Sequence, residues 1–281
     1  MALAQDTLGK SVLITGCSSG IGLASVRMLK ARGWQVLATA RTPDDLERLE
    51  RVEGVTAIPL ELRDPASVSF CARAALELTS GKLTALFNNA AYGQPGAVED
   101  LPGAVLRDQF EVNLFAWHDL TRALIPAMRR QGHGRIVQCS SVLGLVSAPW
   151  RGAYCASKFA LEALSDALRM ELSGSGVCVS IIEPGPISSR FLDHAIAAFK
   201  AKIDVTGSVH CEAYQRRLAG MEAGGRITFK LEPEAVAAKL VHALEHPRPK
   251  VRYYVTTPTH LAAGLKRLLP HRLMDRFAVR I

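Results

Sequence analysis

The sequence predicts an α/β fold, a doubly wound parallel sheet with helices on both faces. Short apolar runs of strand length alternate with longer helical stretches through the first two-thirds of the chain. A glycine-rich turn joins the first such run to the first helix, and the apolar runs read as strands buried on both faces. Right-handed crossovers then wind the sheet in both directions from its centre.

Ser11 to Thr15 is the first strand and Ile21 to Ala31 the first helix. Val36 to Ala40 is the second strand, and Ala57 to Leu60 a third, weakened by Pro59. Ser67 to Leu78 reads as helix, Leu83 to Phe87 as a fourth strand ending at Asn88-Asn89. A long helical stretch from Ala104 to Arg130 is expected to bend at Pro126. Arg135 to Cys139, the helix from Tyr154 to Leu172, and Val177 to Glu183 complete the alternation. Beyond Pro186 the rhythm changes. Residues 188–228 form an irregular or helical insertion, Pro233 to Ala243 a helix, and Val251 to Val255 a last strand. Leu261, Leu265, Leu268, Leu269, Leu273 and Phe277 keep helical spacing, with Pro270 opening a new turn. The whole of 1–281 is expected to be one domain, with 188–228 as a substrate lid and 258–281 as a basic amphipathic tail.

Composition narrows the function. With 48% hydrophobic residues the chain can fill a substantial core. No apolar run approaches the ~20 residues that span a bilayer, and the N-terminus lacks the pattern of a secretory signal. The six cysteines form no CxxC pair and no zinc-like spacing, which points to reduced thiols in the cytoplasm and to no metal site. Arg248 to Ile281 carries eight basic residues and one acid, a net +7 out of the chain's +8. The rest is nearly balanced, which argues against a nucleic-acid binder and for a local basic tail.

Thr15-Gly16-Cys17-Ser18-Ser19-Gly20-Ile21-Gly22 is built to approach a phosphate. Glycines permit a sharp turn, and a helix N-terminus offers free N–H groups and positive potential. The spacing is GxxxGxG, neither the common GxGxxG fingerprint nor a Walker A loop. Its place between strand and helix favours a dinucleotide and a Rossmann-like sheet. The end of the second strand reads Thr39-Ala40-Arg41, with no acid for a free 2′-hydroxyl and an arginine able to pair with a 2′-phosphate. That favours NADP over NAD; Ser18 can add a hydroxyl.

Tyr154 and Lys158 lie one helical turn apart, on one face. A phenol loses its proton near pH ~10, and a neighbouring cation is expected to lower that value. Ser141, at a strand end, can hold the oxygen of a carbonyl or alcohol.

Together these pieces resemble the short-chain dehydrogenase/reductase family in its single-domain form, over roughly residues 8–190. TGCSSGIG, Asn88-Asn89-Ala90, Asn113, Ser141 and YCASK stand in the family's order, and several stretches look like its 17β-hydroxysteroid dehydrogenase-like branch. The resemblance implies that Tyr154 is the acid/base, that Lys158 binds the nicotinamide ribose and favours the ionised tyrosine, and that Ser141 orients the substrate oxygen. It implies that Asn113 holds a bend in the central helix and a water leading protons to Lys158. For the cofactor it implies Gly16, Ser18, Ser19, Gly20, Ile21 and Gly22 at the phosphates, with Arg41, Glu61 and Leu62 at the adenosine end. Asn89, Ala90, Pro184, Gly185 and Ser189 would border the pocket and the nicotinamide. Departures are Ala91 for the glycine of NNAG, Glu61 for an aspartate, and Ser189 for a threonine.

The expected activity is NADP(H)-dependent interconversion of a secondary alcohol and a ketone on a lipophilic small molecule, steroid-like, retinoid-like or another apolar carbonyl. Two alternatives stand beside it: a nucleotide-binding sensor or scaffold without useful turnover, and a reductase of carrier-bound 3-oxoacyl groups. Phe191, Leu192, Ile196 and Phe199 suit a lipophilic ligand or a packed helix equally. The resemblance implies a homodimer or homotetramer. The tail is expected to dock on its own sheet or a second subunit, in preference to an anionic membrane.

Overall fold

A computed structural model describes residues 9–222 and 228–278. Residues 1–8, part of the stretch read for a signal, lie outside it, as do 223–227 of the lid and 279–281 of the tail.

Seven parallel strands form one sheet in the order β3-β2-β1-β4-β5-β6-β7. They are β1 (Ser11–Ile14), β2 (Gln35–Ala40), β3 (Thr56–Pro59), β4 (Ala85–Asn88), β5 (Gly134–Cys139), β6 (Val177–Glu183) and β7 (Arg252–Tyr254). The order reverses between β1 and β4, the switch point at which open α/β sheets place a ligand beyond the carboxyl ends of their strands. Pro59 is tolerated because β3 is an edge strand.

The crossovers are α1 (Gly20–Lys30), α2 (Pro43–Arg48), α3 (Pro65–Leu78), α4 (Gly103–Phe110), α5 (Ala116–Arg130) and α6 (Gly152–Glu171). After β6 come α7 (Phe191–Lys202), α8 (Cys211–Glu222) and α9 (Glu234–Glu245), then β7, α10 (Thr257–Leu268) and α11 (His271–Ala278). α2 was not legible as a helix. Its Thr42 cap, which accepts from the Asp45 N–H, and Pro43 at its start explain it locally.

The expected bend at Pro126 is not where the central helix is interrupted. Pro126 sits inside α5, and the irregular turn lies upstream, a π-helical stretch over Glu111–Phe115 that contains Asn113. The side chain of Asn113 supplies the reason. It receives the Tyr92 N–H at 3.2 Å and donates to the Tyr92 carbonyl at 2.9 Å, so the helix is anchored sideways to the loop after β4.

The core runs along both faces of the sheet. Val12, Leu13, Ile14, Leu37, Leu86, Phe87 and Trp117 are fully buried. A second cluster beside it holds Val142, Leu143, Tyr154, Cys155 and Ala262, with Met274 packed against it. Through Ala262 and Met274 the tail helices seat on the chain's own domain.

Candidate active site

The glycine turn is stitched to the end of β4 by Thr15. Its hydroxyl accepts the N–H groups of Asn89 at 2.8 Å and Ala90 at 2.9 Å. The Asn89 amide returns two bonds, to the carbonyls of Thr15 at 2.9 Å and Gly16 at 3.2 Å. Thr39 of β2 accepts from the Gly16 N–H. Ser19 caps α1 with extended backbone, and its hydroxyl makes no capping bond. Thus α1 starts with an unspent hydroxyl and free N–H groups facing the switch point. This donor set fits a dinucleotide pyrophosphate. Ser189 closes over the turn: a Cβ on Gly20 would lie 3.1 Å from the Ser189 Cβ.

Of the residues expected at the adenosine end, Arg41 is exposed just beyond β2. Glu61 is engaged locally, accepting the Arg63 N–H at 3.0 Å, and Leu62 is buried. Arg48 donates to the Ser18 carbonyl at 2.6 Å, and Asp45 holds it. Pro184 accepts the Val142 N–H at 2.8 Å, and Gly185 is pressed against Thr256 and Thr259.

Tyr154 and Lys158 project from the first turns of α6 into the molecule, with Tyr154 9% and Lys158 1% exposed. The Lys158 ammonium donates to the Cys139 carbonyl at 2.8 Å, and lies 4.3 Å from the Trp117 ring centre and 5.7 Å from that of Tyr154. Burial pulls the Lys158 pKa down to about 8. The phenol differs from the sequence-based expectation of a lowered pKa. Burial holds it well above the ordinary tyrosine value, while the Ser141 hydroxyl and Arg151 pull the other way. The desolvation of both groups outweighs what a cation one turn away supplies.

Ser141 begins the turn Val142–Gly144, and its hydroxyl accepts the Leu143 N–H at 3.1 Å. Asn113 reaches the same region, its amide 3.3 Å from the Ser157 hydroxyl. Phe191 at the head of α7 meets Tyr154 edge-on, with ring centres 5.4 Å apart. Gly93 completes this wall, since a Cβ there would lie 2.9 Å from the Phe191 ring and 3.6 Å from the Tyr154 ring. Sequence reasoning missed Gly93 and Trp117 as parts of the site, and the role of the Thr15 hydroxyl in tying the turn to β4. Only Thr15 carried a signal, as the residue opening the glycine turn.

The arrangement can hold a dinucleotide across the switch point and deliver or accept a proton at the Tyr154 hydroxyl. A model of the short chain dehydrogenase family matches residues 10–198. The chain is 46% identical over 274 residues to the uncharacterized oxidoreductase YbbO of Escherichia coli (strain K12), covering 98% of this chain and 96% of that one. It is 34% identical to human 17-beta-hydroxysteroid dehydrogenase type 1, over 87% of this chain and 77% of the relative. Among solved structures, a short chain dehydrogenase/reductase from Burkholderia phymatum in complex with NAD superposes with a TM-score of 0.76, at 27% identity over 92% of both chains. The chain belongs to the short-chain dehydrogenase/reductase family. It is an NAD(P)-binding oxidoreductase acting on alcohol and carbonyl groups, related to the hydroxysteroid dehydrogenase branch.

All six cysteines are free thiols, as expected from their spacing. Among the described residues no helix is long and apolar enough to cross a membrane.

Proposed function

We propose that the protein interconverts a secondary alcohol and a ketone on a lipophilic small molecule, with NADP(H) as its cofactor. The observation that carries the reading is the buried Tyr154–Lys158 face of α6, open toward Ser141 and Phe191 beside the glycine turn. The nicotinamide supplies or takes the hydride when bound. The chain's own residues do the rest. The Ser141 hydroxyl orients the substrate oxygen, and the Tyr154 hydroxyl gives it a proton in reduction. The high phenol pKa suits a donor that keeps its proton until a carbonyl oxygen needs it. Lys158 holds the ribose and restores the proton balance, with Asn113 anchoring the path behind it. Phe191 and Gly93 exclude water from the reacting face.

Preference for NADP is supported by the end of β2. A neighbour of the same fold holds NAD, so the fold does not itself select NADP and the choice rests on side chains. Here Arg41 stands exposed where an acid would hold the 2′-hydroxyl. A soluble protein of dimeric or tetrameric build, in the cytoplasm, belongs to the same reading.

Tyr154→Phe tests the chemistry. Turnover of ketone panels with NADPH is expected to fall by at least ~10²-fold while nucleotide binding, read by fluorescence titration, persists. Unchanged turnover removes the role. Arg41→Ala is expected to raise KM for NADPH about tenfold or more and to leave that for NADH alone.

A further inference from the structure

The tail helices are hydrophobic on the wrong side for packing alone. On α10 the inward face is Thr259 and Ala262, both fully buried. The outward face carries Leu261 and Leu268, seven residues and two turns apart, 48% and 80% exposed. On α11 Met274 packs inward, while Leu273 is 44% exposed. Both helices seat on the cluster that contains Tyr154. Beside them stand the exposed Arg267, Arg272 and Arg276, with Asp275 the single acid on the two helices.

We propose that this face docks on the surface of an anionic phospholipid bilayer, with the leucines entering the headgroup boundary and the arginines pairing with lipid phosphates. An amphipathic helix of this kind lies in the interface plane, and each basic residue near an anionic surface strengthens its attachment. A second copy of the chain fits the face less well. A two-fold contact brings together two copies of the same positively charged patch, with Asp275 the single acid on each to offset it. Three leucines are also far less than a stable protein interface needs. The docking itself does not depend on the substrate reading.

The test is co-sedimentation of the full chain with vesicles of phosphatidylcholine containing about one-third phosphatidylglycerol, against phosphatidylcholine alone. The wild type is expected to sediment with the anionic vesicles only, and to be released at about 0.5 M salt. Leu261→Ser/Leu268→Ser and Arg267→Glu/Arg272→Glu are each expected to weaken binding about tenfold or more. Far-ultraviolet dichroism matching the wild type verifies that both variants are folded. The idea is overturned if the wild type ignores anionic vesicles, or binds both kinds alike. Folded variants that bind like the wild type also overturn it. So does a leucine variant that changes the sedimentation coefficient in solution and leaves vesicle binding intact, since the occupant is then a second copy. Vesicle binding is read without turnover, so its failure leaves the proposed chemistry standing, and loss of the chemistry leaves the docking standing.

Discussion

Gly22 has no room for a side chain. A Cβ there would lie 2.1 Å from the Gly16 carbonyl oxygen and 3.0 Å from the Asn89 amide nitrogen. Both neighbours are fixed, the first as backbone and the second by its bonds to Thr15 and Gly16. Gly22→Ala therefore has to separate the glycine turn from the end of β4. A loss of ~1–3 kcal/mol in unfolding free energy is expected, as for other overpacked sites. Dinucleotide affinity should fall with it, because the N–H groups facing the switch point move. Gly220, inside α8 with open space around it, is the matched control. Gly220→Ala should be neutral or stabilising by up to ~1 kcal/mol. Equal urea midpoints for the two variants would show that the turn tolerates a methyl group and that the close approach is not what holds it.

The lid helix α7 is fastened at both ends. At its head Phe191 meets Tyr154, and at its tail Lys202 reaches Asp108 of α4 at 2.5 Å. Asp108 also receives Arg63 at 2.6 Å and the Tyr92 hydroxyl at 2.6 Å. Burial disfavours its charge, yet these three donors prevail and hold the carboxyl below the usual range. The stability this gives is present above the ordinary aspartate value and is lost as the pH falls through the depressed one. Asp108→Asn keeps the shape and removes the charge that gathers the donors. A severalfold rise in substrate KM with little change in kcat is expected from steady-state kinetics, because the wall is loosened and the Tyr154 face is untouched. An unchanged KM would mean that α7 is held by its apolar face alone. This fastening was not legible in the sequence, since Asp108 and Lys202 are 94 residues apart and neither belongs to a recognisable spacing. The strands and the Tyr154–Lys158 turn were legible because each is a local pattern: apolar runs in one case, one helical turn in the other. The helices of 188–228 were legible only as one of two alternatives, since α7 and α8 acquire their faces from packing on Tyr92, Trp150 and each other.

Further along α6 the sheet's last strands are tied to the helix that bears the site. Arg252 of β7 bonds Glu162, Asp166 at 2.5 Å and Glu183 at 2.7 Å, so three acidic side chains share one guanidinium. Glu183 is wholly buried, and its second oxygen has no hydrogen-bond partner among the described residues. Burial, and then the charge of Glu162, push its pKa up to about 8 from 4.5, against the pull of Arg252. The folded protein therefore keeps a proton on Glu183 over a range in which the unfolded chain has released it. Where the native state binds more protons, stability falls as the pH rises. The contribution is whole below 4.5 and is lost as the pH climbs toward and through about 8. Glu183→Gln mimics the protonated acid and cannot titrate, while Arg252 retains Glu162 and Asp166. Its urea midpoint is expected to match the wild type at about pH 4.5 and to exceed it at about pH 8.5. Midpoints that stay parallel across this range would place the proton elsewhere in the cluster. A variant less stable than the wild type at both ends would mean that a charged Glu183 is what the half-buried Arg252 requires.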